Sequence, residues 1–109
     1  MTDQPMNIPF ARDHFVSCRL GTRRADELIQ QIRNNLASLA SYSDGLMMDQ
    51  TFSKDHVDLP SLRKAAEYSA EMLRASLELV RATSQVDIAL NGVLRPAVQK
   101  REREERQRT

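Results

Sequence analysis

The stretch AAEYSAEMLRASLELVRA, residues 65–82, carries more apolar surface than a helix with one covered face needs. At about 100° per residue, Arg63, Lys64, Glu67, Glu71, Arg74, Glu78 and Arg81 fall within an arc of about 100°. The rest is apolar or small and divides into two stripes. One is Leu62, Ala66, Ser69, Leu73, Leu77 and Val80. The other is Ala65, Tyr68, Met72, Ala75, Leu79, Ala82, Val86, Ala89 and Val93, spaced three and four in alternation without a break. That second spacing is a heptad seam, with alanines set against larger neighbours as in a close helix–helix contact.

What else the chain offers to cover two stripes is limited. Its 109 residues argue for a single domain, and only three glycines, four prolines and few aromatics favour an all-helical fold. Pro5 and Pro9 mark residues 1–21 as a flexible N-terminal arm, with a short extended segment at 14–20 where Val16, Cys18 and Leu20 alternate. Gly21 then breaks the chain and Thr22 serves as N-cap of a first helix. Ala25, Leu28, Ile29, Ile32, Leu36, Leu39 and Ala40 fill one arc of about 120° on it. Leu46 and Met47 extend that arc, or Gly45 ends the helix as a left-handed C-cap. Residues 49–58 form a polar connector, closed by Asp58 as N-cap and Pro60 in the first turn of the second helix. Pro96 ends that helix, unless Ser84 and Asp87 restart the chain as a short third helix before it. Residues 22–95 are thus the helical domain and 96–109 a charged tail, frayed or disordered.

The expected architecture is all-α: two long amphipathic helices forming a hairpin, the second extended or followed by a short third helix. One stripe on the first helix covers one seam on the second. Leaving the heptad seam in water forfeits about 1.5–3 kcal/mol for each large apolar side chain, a loss comparable with the stability of a small domain. Residues 84–95 folding back, helped by Phe10 and Phe15, would cover it. The unbroken register through Ser84 instead favours a second chain, since RATSQVD offers neither Gly nor Pro for a turn. The reading is a homodimer or a protein complex, with Tyr68, Met72, Ala75, Leu79, Ala82, Val86, Leu90 and Val93 as the partner-binding residues.

Chemistry-bearing residues are sparse. His14 and His56 have no second ligand at metal spacing and read as surface residues. Cys18 has no CxxC partner and reads as a small hydrophobe, and a single cysteine fits a reducing cytoplasm. Glu67 and Glu71, flanked by Arg63 and Arg74, read as a solvated ion-pair face. Met47 and Met48 suit either core filling or an adaptable contact. A net charge of +1 argues against direct nucleic-acid binding, and no apolar run reaches the roughly 20 residues of a membrane span. No catalytic residue, cofactor or metal is expected. The chain reads as a cytoplasmic, non-enzymatic protein.

The pattern HFVSCRLG…ADELIQQIRNNLASL…AAEYSAEMLRASLELV resembles a family of small bacterial helix-pair proteins. In that family an F-x-V-x-x-G opening precedes the first helix and an AAHYLSEMAKAL-like phrase forms the second. Phe15 and Gly21 match the opening with one extra residue between them. Ala65, Ala66, Tyr68, Glu71 and Met72 match the phrase, with Glu67 in place of its His. In size and layout the chain is also similar to small helical quorum-sensing antiactivators. That resemblance implies self-pairing and binding to a LuxR-type transcription factor such as LasR, which blocks its dimerisation. VDLPSLRKAAEYSAEMLRASLELV is similar as well to the terminal helices of flagellar rod-junction proteins, which implies a structural part of an export apparatus.

Overall fold

The computed structural model of the chain describes residues 5–52 and 54–108; residues 1–4 of the expected arm, Ser53 of the connector and Thr109 lie outside the described residues. Two helices carry almost all of it: α1, Ala11–Phe52, of 42 residues, and α2, Leu59–Arg108, of 50. They pack against each other as a helical hairpin, the all-α architecture expected from the periodicity. The second helix is extended, with no third helix among the described residues.

Both helices overrun their expected ends. Residues 14–20 are helical rather than extended, and α1 starts eleven residues before Thr22. Its start is a turn in which the Ala11 N–H donates to the Ile8 carbonyl (3.2 Å), with Phe10 at φ 63° after Pro9. Pro followed by a residue of positive φ is the sequence of a type II turn. Thr22 is no cap: its hydroxyl donates to the Cys18 carbonyl at 2.8 Å, one turn back in a continuous helix. The connector is shorter than 49–58 because α1 continues to Phe52, past Gly45. Gln50 ties that connector down, accepting from the Asp55 N–H at 2.8 Å and donating to the His56 carbonyl. Asp55 adopts φ 62°, a left-handed geometry that Asp tolerates. Asp58 does open α2: its carbonyl accepts from Leu62 N–H (3.0 Å) and its carboxylate from the Ser61 hydroxyl (2.6 Å).

Further along α2, Ser84 and Asp87 do not restart a helix. Asp87 instead accepts from the Asn91 side chain one turn on, at 3.2 Å. Pro96 lies inside α2, and the tail is helical to Arg108. A proline costs an interior helix about 3 kcal/mol. The residues beyond it favour helix strongly: Gln, Lys, Arg and Glu are good formers, opposite charges recur one turn apart, and Arg106 and Arg108 complement the C-terminal dipole.

The chain falls into two compact units, to which both helices contribute: residues 24–81, and residues 5–23 with 82–108. In the first, Leu28, Ala65 and Ala75 are buried and the Tyr42 and Tyr68 rings meet at 5.8 Å between centroids. In the second, Gly21, Ala82 and Ala89 are buried, and the Gln85 amide donates to Ser17 O at 3.0 Å and Ser17 Oγ at 3.3 Å. Lys100 Nζ donates to the Asn7 carbonyl at 3.3 Å.

Glycine has two different roles on α1. Gly21 has negative φ and gives the helices room: a Cβ there would lie 2.8 Å from Val86 Cγ2 and 3.0 Å from the Ala82 carbonyl oxygen. Gly45 faces open space, and a methyl group added there would meet nothing within 4 Å. Gly45→Ala is therefore expected to stabilise the protein by about 0.5–1 kcal/mol through helix propensity alone, read as a raised urea midpoint at unchanged slope. An unchanged or lowered midpoint would mean that α1 ends near Gly45 in solution.

Candidate functional site

α2 has to turn one of its two stripes toward α1, and the register of the heptad seam points to a second chain on that seam. The structure turns the heptad seam inward. Ala65, Ala75, Ala82 and Ala89 are buried on it, while Tyr68, Met72, Leu79, Val86 and Val93 are half-buried. The seam expected to receive another chain is the hairpin's own core. Of the eight residues named for partner contact, Leu90 alone is exposed, at 46 %. Small residues decide this, because helices approach closely only where side chains are short. Phe10 and Phe15, expected to help cover the seam, are themselves exposed.

The stripe left without cover is the other one. In residues 24–81, Leu62, Leu73, Leu77 and Val80 stand 43–65 % exposed. On a 3.6-residue helix they lie opposite Ala75, so the row faces away from the hairpin's contact. Arg63, Arg74 and Arg81 border one side of this row and are exposed. Among the described residues, none of the three is ion-paired to a carboxylate. The opposite border holds Ser69 and Ser76. An apolar row of heptad-like spacing with a charged margin is the form in which helices recognise helices.

The same unit carries a polar depression of about 520 Å³, lined by Arg24, Gln31, Asn34, Asn35, Glu71, Arg74, Ala75 and Glu78. Its charges are partly spent. Arg24 donates to Glu78 at 2.5 Å and to Glu27 at 3.3 Å. These bonds, Glu78's first, hold the Arg24 guanidinium above its usual range. An arginine is already charged at neutral pH, so the bridge ties α1 to α2 without altering the charge offered to a ligand.

The remaining candidate residues are placed as follows. His14 lies on α1 over Gly92, where a Cβ would come within 2.5 Å of its ring; it packs in the helix pair and not in a loose arm. His56 is exposed in the connector, Cys18 is half-buried and outside any disulfide, and Met47 and Met48 are exposed. Glu67 pairs with Lys64 at 3.4 Å on the solvated face. Among the described residues no three His, Cys, Asp or Glu side chains gather as metal ligands would, and no helix is long and apolar enough to cross a membrane. No family model, curated protein or solved structure matches the chain.

Proposed function

We propose that this chain is a non-enzymatic regulatory protein that acts by laying a helix face against another protein. The observation that carries the reading is the outward row of Leu62, Leu73, Leu77 and Val80, left exposed on a helix whose inner face is occupied. The proposed partner is a LuxR-type quorum-sensing transcription factor such as LasR. The protein is then an antiactivator of the QslA type, acting in the cytoplasm: it blocks receptor dimerisation and so DNA binding. A regulator that must pair to work is open to capture by a helix with an unsatisfied apolar face. No cofactor or metal enters the mechanism, and inhibition is stoichiometric.

The test is co-expression with the receptor, followed by co-purification and a dimerisation readout. The wild-type protein is expected to capture receptor and to be titrated away by excess receptor. Leu73→Arg with Leu77→Arg places charge on exposed positions, so stability should change by no more than about 0.5 kcal/mol per site. Loss of two central apolar anchors should weaken capture by about 30-fold or more. Folded wild-type protein that leaves the receptor dimeric would end the antiactivator reading. Assembly into filaments would favour the rod-junction reading in its place.

A further inference from the structure

We infer that the outward face of α2 over residues 59–81 docks an acidic amphipathic helix, one whose apolar row is bordered on one side by carboxylates. The inference rests on the proposed reading of this face as a docking surface and adds the chemistry of what docks. Leu73, Leu77 and Val80 supply the apolar contact, and Arg63, Arg74 and Arg81 stand exposed along a single border without carboxylate partners among the described residues. Three exposed guanidiniums stand nearest the apolar row, with Glu67, Glu71 and Glu78 set further back on the same face. At that border they favour negative charge at the matching positions of a partner over positive charge.

A second copy of this chain does not meet that requirement. Laid antiparallel on itself with Leu62 opposite Val80, the row brings Arg63 alongside Arg81 of the second copy, where like charges repel. Laid parallel, the arginine border meets the side bearing Ser69 and Ser76, which holds no carboxylate over residues 59–81. An anionic membrane fits poorly too. The row is narrow and aliphatic, and the arginines line one border only, whereas interfacial helices present a broad apolar face with aromatic residues.

The test uses the full chain and two labelled amphipathic peptides of about three heptads, with leucine at a and d and either Glu or Lys along one border. By fluorescence anisotropy the Glu peptide is expected to bind at least about tenfold more tightly than the Lys peptide, with the preference shrinking as salt rises. Arg63→Glu, Arg74→Glu and Arg81→Glu combined, all at exposed positions, should reverse the order, and Leu73→Arg should abolish binding of the Glu peptide. Equal affinity for both peptides, or an order unchanged in the triple variant, would overturn the inference. So would binding to phosphatidylserine vesicles without peptide binding, or a dimer lost in Leu73→Arg without peptide binding. A failure of receptor capture with the peptide preference intact would remove only the antiactivator assignment.

Discussion

Leu28→Ala is expected to cost about 2–5 kcal/mol, the range for truncating a leucine in a closed core. Leu28 is 1 % exposed, the largest side chain enclosed so fully among the described residues. The other buried apolar residues of residues 24–81, Ala65 at 8 % and Ala75 at 6 %, are alanines, so Leu28 is the one large side chain fully enclosed there among the described residues. A loss within that range follows from its full enclosure. For a domain whose total stability is about 5–15 kcal/mol, that brings the folded state close to failure. Urea titration followed by circular dichroism would show a midpoint moved far down at unchanged slope. Leu36→Ala is the control: Leu36 is 52 % exposed, and its truncation should cost well under half as much. Equal losses at the two positions would mean that Leu28 is not enclosed in solution.

The helices themselves are legible from the periodicity, because a three-four spacing sustained from Ala65 to Val93 has no other stable expression than a helix with a seam. Which stripe faces inward is not legible. The heptad seam is legible as a close helix–helix contact, but its unbroken register through Ser84 points to a second chain and not to α1. Side-chain size decides otherwise: the stripe with Ala75, Ala82 and Ala89 permits close approach, and the stripe with Leu73 and Leu77 does not. The helix ends mislead for a related reason. Gly21, Thr22 and Pro96 are strong local punctuation, yet Gly21 serves a contact with α2 and Pro96 lies within a helix that continues through good helix formers. His14 reads as a surface residue because Gly92, over which it packs, lies far away in sequence. The arginine border is visible in the sequence, but only as part of one charged face; its place beside an exposed apolar row emerges once the inward stripe is fixed.

Gly21→Val is expected to destabilise the protein by about 2 kcal/mol or more, in the upper part of the range for overpacking. The replacement would otherwise help, since valine is a better helix former than glycine by a few tenths of a kcal/mol. The cost comes from α2. A Cβ at position 21 meets Val86 Cγ2 at 2.8 Å, which a rotamer change could relieve, and the Ala82 carbonyl oxygen at 3.0 Å, which it could not. Combining Gly21→Val with Val86→Ala should therefore recover only part of the loss. Full recovery would show that the side chain alone sets the spacing, and no loss at all would show that the helices stand further apart. The measurement bears on function as well as stability, because it tests the rule that sorts the residues of α2. A helix pair held close admits only small residues at its points of nearest approach, Ala82 and Ala89 in the unit that holds Gly21. The same rule acts within residues 24–81, where Ala65 and Ala75 are the buried residues of α2. There the large aliphatic side chains are left on the outer face, and Leu73, Leu77 and Val80 stand beside arginines without carboxylate partners among the described residues. The apolar surface proposed for a partner is thus the counterpart of an inner face built from alanine.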